Sequence, residues 1–248
     1  MNKLFFILSF FIVACAKQEL STDSKMIITL NKVGQAAERA KRYEYAVSVY
    51  KEAHKLEPNN IEVIEHLATN LSLLHQYHQV SSICQIGLTV DPDNIRLIEI
   101  LGSSLIAQAR FSNAIYWVSR DLQLSKGKSV IGLNSLGLIL DSLSYHSKAQ
   151  GCYKKSLALN SQNQQTLNNY GLSLALSNNV GEAMDYLLAA NALTDSKISL
   201  ANIALVQKLR KKHKKISKYL RKQLFPKPMH LSKKYTKDVF STHSFYCK

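Results

Sequence analysis

The sequence predicts an all-α solenoid of about five helix pairs followed by a C-terminal capping helix. Three observations predict this fold class. Small residues recur at intervals of 34, 34, 35 and 34 residues, a second small residue follows twelve positions after nearly every one, and a larger side chain stands four positions further on. A period of this length is typical of stacked helical repeats, in which no single unit can bury a core alone.

The two small positions place the two helices of each repeat. A small side chain on each helix lets the two backbones approach closely, and the larger side chain is expected to fill the gap against the next repeat. The first small positions are Gly34, Ala68, Gly102, Gly137 and Gly171, and the second are Ala46, Ala114, Ala149 and Ala183, with Val80 as the exception. The larger residues are Tyr50, Cys84, Val118, Tyr153 and Leu187.

The ends of the repeats follow from the same register. Pro58 and Pro92 end the first two repeats, because proline lacks the amide hydrogen that would continue a helix. Lys126, Ser161 and Asp195 replace the closing proline at the third to fifth boundaries, and an extra residue falls near Ser129. The predicted repeats are 27–60, 61–94, 95–128, 130–163 and 164–197, with a capping helix from 198, and together they form a solenoid over 27–205.

The first 14 residues have the composition of a secretory signal peptide. Lys3 precedes an apolar run from Leu4 to Ala14, and this run is too short to span a bilayer, which takes roughly 20 residues. The run ends in Ile12-Val13-Ala14-Cys15, which resembles the bacterial lipobox. The resemblance implies cleavage before Cys15 and lipidation of its thiol; ordinary signal-peptide cleavage is the alternative.

Lipidation would fix the chain to a membrane, since each buried methylene contributes about 0.8 kcal/mol and two or three acyl chains hold firmly. Ala16, rather than the Asp of an inner-membrane retention signal, follows the cysteine. We therefore expect a lipid anchor in the bacterial outer membrane, on its periplasmic face. The polar stretch 15–26 is predicted to be a tether.

The C-terminal segment 206–248 differs from the rest in charge. Of the 32 Lys and Arg residues, 14 lie between Gln207 and Lys248, whereas only one of the 17 acidic residues, Asp238, lies there. A basic helix and tail are predicted. The alternatives for this segment are a capping second helix that packs Ile216 and Leu220 on the last repeat, contact with anionic lipid, and nucleic-acid binding, which the export signal makes the weakest of the three.

The repeat resembles the tetratricopeptide repeat (TPR), whose fold is a right-handed α-solenoid. Residues 131–188 carry a more specific resemblance, to the TadD-like TPR lipoproteins of the tight-adherence (Flp) pilus assembly system. Its motifs are Asn134-Ser135-Leu136-Gly137 followed by Asp141, Ala149 followed by Tyr153, and the run from Asn168 to Ser177 (NNYGLSLALS). The basic tail departs from that pattern.

The resemblance implies a non-enzymatic scaffold or pilotin that binds the secretin or another component of the pilus or secretion apparatus. A solenoid offers a concave groove lined by its first helices, which suits an extended peptide or a partner helix. The residues predicted to face this groove are Glu65, Thr69, Glu99, Asn134, Asp141, Asn168, Asn169, Leu172 and Asn202. Polar residues of a solvated face or of inter-helix hydrogen bonds are the alternative interpretation of these positions.

Other function classes have little support in the sequence. The histidines, His54, His66, His75, His78 and His146, lie in helical or turn contexts without a nucleophile motif or a phosphate-binding loop, so no catalytic residue, cofactor or small-molecule substrate is predicted. The four cysteines have no metal-ligand spacing, and Cys84 and Cys152 are predicted to be buried thiols. Within the scaffold class, a type IV pilus biogenesis lipoprotein and an envelope adaptor for peptidoglycan hydrolases are the alternatives.

Overall fold

Eleven α-helices make up the part of the chain that the structure, a computed structural model, describes: residues 22–194, 197–211, 223–225 and 246–247. The helices are α1 (Thr22–Arg39), α2 (Tyr43–Leu56), α3 (Ile61–Leu73), α4 (Tyr77–Val90), α5 (Ile95–Ala107), α6 (Phe111–Leu124), α7 (Val130–Ser142), α8 (His146–Leu159), α9 (Gln164–Leu176), α10 (Val180–Leu193) and α11 (Lys197–Lys211). The predicted signal peptide, Cys15, Ile216 and Leu220 lie outside the described residues. In the described ranges, no helix combines the length and the apolar character that crossing a bilayer requires.

The helices form five consecutive pairs, α1–α2 to α9–α10, and α11 packs after them as the capping helix. The second helices start at Tyr43, Tyr77, Phe111, His146 and Val180, which repeats the predicted spacings of 34, 34, 35 and 34 residues. Each helix packs on the one before it and the one after it along the chain, and the same core runs through all the pairs. The predicted all-α solenoid is confirmed.

Two kinds of local signal set the helix ends. Asn60, Asn94, Ser129 and Asn163 precede the first helices of repeats 2 to 5, and each side chain accepts a hydrogen bond from the backbone N–H three residues later. Such a cap satisfies one of the backbone donors that a helix start leaves unpaired. The turns into the second helices contain a residue with positive φ instead, namely Lys41, His75, Ala109, Ser144 and Asn178.

The small residues of the register are buried where the two helices of a repeat cross. A Cβ atom on Gly34 would lie 2.5 Å from the Tyr50 ring, and one on Gly137 would lie 2.5 Å from the Tyr153 ring. The larger side chain therefore packs on the glycine of its own repeat, a contact that the prediction for this position does not include. It does reach the next repeat as well, since the rings of Tyr50 and His66 stack with centroids 5.0 Å apart.

Two boundaries differ from or refine the sequence prediction. Helix α1 begins at Thr22, so its first turn occupies part of the segment predicted to be a tether. The link between repeats 3 and 4 runs over residues 125–129, one residue longer than the link over 91–94, as the extra residue near Ser129 predicts. The longer link turns through Lys126 and Gly127, both with positive φ.

The cysteines correct one expectation. Cys84 is a buried free thiol, as predicted, and burial raises its pKa to about 12. Cys152 is buried but is not a thiol, because it forms a disulfide with Cys247, with a Cα–Cα distance of 4.5 Å. The bond joins the end of the basic segment to α8, 95 residues earlier in the chain.

Candidate protein-binding groove

The first helices form one continuous face of the solenoid. Helix α3 contacts α5, α5 contacts α7, α7 contacts α9, and α9 contacts α11, in addition to the contacts each makes with its neighbours in the chain. Because the first helices of successive repeats approach each other, the stack curves towards them, and we call the surface they line the groove. The predicted groove residues all lie on these helices.

At repeats 2 and 3 the groove carries a polar cluster built around Glu65. Asn94 donates its side-chain N–H to Glu65 Oε1 at 2.9 Å, and the Arg96 guanidinium lies 3.5 Å from Glu65 Oε2. Arg96 also donates to Thr69 Oγ1 at 3.3 Å. The half-exposed Arg96 thus joins two predicted groove residues, although it is not itself among the predicted ones.

At repeats 3 and 4 the predicted groove residue Glu99 belongs to a pair of acidic side chains that are largely covered. The Ser129 hydroxyl lies 3.0 Å from Glu99 Oε1 and 2.7 Å from Asp121 Oδ2, so it links the two carboxyl groups. Burial raises the pKa of Glu99, and burial together with the nearby Glu99 charge raises the pKa of Asp121 to about 7, against the opposing effect of the Ser129 hydrogen bond. These groups connect the repeats at the site of the longer link.

At repeats 4 and 5 and the capping helix, four asparagines form a directional chain of amide hydrogen bonds. Asn202 Nδ2 donates to Asn168 Oδ1 at 2.9 Å, Asn168 Nδ2 to Asn169 Oδ1 at 3.5 Å, and Asn169 Nδ2 to Asn134 Oδ1 at 3.0 Å. This arrangement matches the inter-helix alternative for these residues. Each amide has two donors and two acceptor lone pairs, so the partly exposed Asn168, Asn169 and Asn202 keep capacity for a ligand, whereas Asn134 is buried.

Three predicted groove residues, Asp141, Leu172 and Asn134, are buried instead. Asp141 is 3% exposed; its Oδ1 accepts from Ser173 Oγ and contacts His146 Nδ1, both at 2.8 Å, and its Oδ2 accepts from Tyr153 Oη at 3.0 Å. Leu172 is 7% exposed and belongs to the core. Each inner first helix packs against the second helix of its own repeat and against both helices of the preceding repeat. Only a narrow stripe of its surface therefore reaches the groove. Asn134 is also nearly covered, at 4% exposed.

The Asp141 cluster contains serine, histidine and aspartate, but its geometry does not suit nucleophilic catalysis. The carboxylate lies between the other two side chains, whereas activation of a serine requires that the histidine itself reach the hydroxyl. Ser173 is also fully buried. Burial raises the pKa of Asp141, and the hydrogen bonds with His146, Ser173 and Tyr153 oppose this rise. Among the described residues, no group of three or more His, Cys, Asp and Glu side chains is placed to hold a metal ion.

A cavity of about 480 Å³ opens where repeats 3 and 4 meet. Its apolar lining comes from Ile106 and Leu138 on the first helices and from Phe111 at the start of α6. Two residues of the C-terminal segment, Leu224 and Phe225, complete the wall. The groove therefore combines polar clusters at repeats 2 and 5 with an apolar pocket between them.

No family model and no curated protein matches the sequence. Solved structures match the fold. TTC0263, a TPR protein of Thermus thermophilus, is 15% identical with a TM-score of 0.63 over 74% of this chain and 100% of that chain. PilF of Pseudomonas aeruginosa is 16% identical with a TM-score of 0.59 over 88% and 98%. YrrB, described as a TPR protein with an unusual peptide-binding site, is 14% identical with a TM-score of 0.51 over 77% and 98%. The chain has the TPR solenoid fold.

Proposed function

We propose that this chain is a lipid-anchored TPR scaffold of the outer membrane that assists assembly of a Flp/Tad-type pilus secretion apparatus, by binding the secretin or another assembly component in its groove. The lipobox at Cys15 supports the anchor, and the motifs in 131–188 support the pilus system. The observation that carries the binding role is the groove itself, in which hydrogen-bonding side chains flank an apolar pocket. This combination suits a protein segment better than a small molecule, because only an extended ligand reaches all three regions.

The fold neighbours support a binding role without naming the partner. YrrB is described as having a peptide-binding site, and a similar use of the groove is proposed for this chain. A type IV pilus biogenesis lipoprotein is the second candidate. The structural similarity to PilF, which covers most of both chains, is the observation that favours it. Neither proposal includes catalysis. In the Asp141 cluster described above, Ser173 is buried and the carboxylate, not the histidine, contacts its hydroxyl.

Deletion of the gene tests the proposal. We expect the deletion to lower the amount of secretin multimer in outer-membrane fractions, and a plasmid copy of the parent to restore it. A plasmid copy with Thr69→Arg and Asn168→Arg should fail to restore it, whereas Tyr116→Arg, on the exposed surface of α6, should restore it as the parent does. Normal secretin multimers in the deletion strain would refute the pilus assignment.

A further inference from the structure

The C-terminal segment returns to the solenoid at the two places where the structure describes it. Leu224 and Phe225 are half-buried and pack against the hydrophobic core, although they lie outside the repeats. At the second place, Cys247 is bonded to Cys152 on α8, and Tyr246 lies over Gly127. Because the solenoid is nearly neutral, the positive charge of the segment gives little electrostatic attraction to it. We therefore attribute the contact to the burial of the apolar side chains Leu224 and Phe225.

The pocket that receives the pair belongs to the groove. Ile106 lies in the last turn of α5 and Leu138 lies on α7, and both helices are first helices that line the groove. Leu138 is only half-buried even with the pair in place, whereas residues 132–137 and 139–142 on the same helix are buried. Leucine and phenylalanine side chains there remove apolar surface from water on both sides of the contact.

We propose that Leu224 and Phe225 are an intramolecular ligand of the groove, and that the protein partner that binds between repeats 3 and 4 displaces them with an aliphatic–aromatic pair of its own. The sequence of the segment indicates the chemistry of that partner, an apolar pair on a basic peptide. The identity of the partner rests on the proposed function, whereas occupancy of the pocket is independent of it.

The size of the cavity favours displacement. A volume of about 480 Å³ remains beside the pair, so Leu224 and Phe225 do not fill the pocket. Pockets that hold drug-sized ligands measure about 300–1,000 Å³, so a bulkier segment has room to make more contact than the pair does. The internal ligand is thus a loose fit that a better one can replace.

The covalent connections of the segment explain how a loose fit stays occupied. Helix α11 precedes the pair in the chain and packs on α10, and the disulfide at Cys247 fixes the chain after it. A tethered ligand has an effective concentration on the order of millimolar. To displace it, the concentration of an external ligand multiplied by its affinity must exceed this effective concentration multiplied by the affinity of the internal pair. Loss of the disulfide leaves the pair attached on one side only, through α11, and lowers that concentration.

Binding of a labelled peptide with the sequence of residues 218–227, KYLRKQLFPK, tests the proposal on the mature chain with its disulfide intact. The double variant Leu224→Asp, Phe225→Asp should bind the peptide about ten-fold more tightly than the parent, if the internal pair fills the pocket nine-tenths of the time. Cys247→Ser should give a smaller gain in the same direction. The matched control, Leu188→Asp with Leu193→Asp on the exposed face of α10, should bind as the parent does.

Hydrogen exchange of the same proteins gives a readout that needs no peptide. The double variant should exchange faster than the parent in residues 104–111 and 135–139, where the pocket lining lies, and the α10 control should not. Equal exchange in these segments, or equal peptide affinity of the parent and the double variant, would overturn the proposal. Adding Leu138→Gln to the double variant should remove the peptide binding, and unchanged binding would also overturn it. None of these results bears on secretin multimers, so the proposed function stands or fails separately.

Discussion

Replacing Gly137 with alanine tests the packing that sets the repeat register. A Cβ atom at this position would lie 2.5–2.9 Å from three atoms of the Tyr153 ring, closer than real side-chain contacts allow. The ring is fully buried and its hydroxyl donates to Asp141, so any displacement of the ring disturbs both the core packing and this hydrogen bond. The extra methyl group must therefore displace the ring and break that hydrogen bond.

The expected change in the free energy of unfolding combines two costs and one gain. Overpacking of a core costs about 1–3 kcal/mol, and a buried hydrogen bond that is lost costs about 1–3 kcal/mol more. Alanine is a better helix former than glycine by about 1 kcal/mol, which offsets part of the cost. We expect Gly137→Ala to lower the free energy of unfolding by about 1–5 kcal/mol in urea denaturation.

The chain supplies matched controls for this substitution. A Cβ on Gly102 would lie 3.4 Å from Val118, an ordinary contact, and one on Gly181 would meet nothing within 4 Å. Gly102→Ala and Gly181→Ala should therefore be neutral or raise the free energy of unfolding by up to about 1 kcal/mol. In a Tyr153→Ala background, Gly137→Ala should lose its cost. An unchanged urea midpoint for Gly137→Ala, or the same effect in both backgrounds, would refute the reasoning.

Three further predictions address the acidic pair, the turns and the anchor. The folded-state pKa of Asp121, about 7, lies above its unfolded value of about 3.9. The contribution of Asp121 to stability is therefore fully present below about pH 4 and is lost as the pH rises through 7. The total loss in the free energy of unfolding is up to about 4 kcal/mol. Asp121→Asn should flatten this part of a pH–stability profile, and an equally steep variant would contradict the assignment. Ala109, with φ 55°, should gain about 1 kcal/mol of stability when replaced by glycine, whereas Asn178→Gly should gain less because asparagine tolerates this conformation; thermal unfolding compares them. Cys15→Ser should abolish incorporation of labelled palmitate, and labelling equal to that of the parent would exclude the lipid anchor.

The repeat register was predictable because it rests on sterics that leave a direct mark on the sequence. Both tyrosines of the register, Tyr50 and Tyr153, stand sixteen residues after a glycine. Where the first position is Ala68, the partner sixteen residues later is the small Cys84. The caps at Asn60 and Asn94 likewise mark helix starts by residue type alone.

The groove was predictable only in outline. Its helices follow from the repeat, but which side chains reach the surface depends on the rotation of each helix in the stack. Asp141 lies on a first helix, as expected of a groove residue, yet hydrogen bonds from two repeats make its burial tolerable. Arg96 was missed because a single arginine at a helix start carries no signal of its own.

The disulfide and the docked C-terminal pair could not be predicted for a different reason. Cys152 and Cys247 are 95 residues apart with no characteristic spacing, and Leu224 and Phe225 belong to a basic segment without a repeat. Contacts of this kind depend on where the chain returns in space. Periodicity describes only the neighbours within and between repeats.

The central claim is that a protein partner binds the face lined by the first helices, and site-specific photo-crosslinking in intact envelopes tests it most directly. A photoreactive residue placed at Thr69 or Asn168 lies in the groove, and one placed at Tyr116 lies on the exposed surface of α6. We predict crosslinks to one discrete partner, the secretin or another assembly component, from both groove positions and none from Tyr116. The same partner crosslinked from Tyr116 while the groove positions give none would contradict the claim.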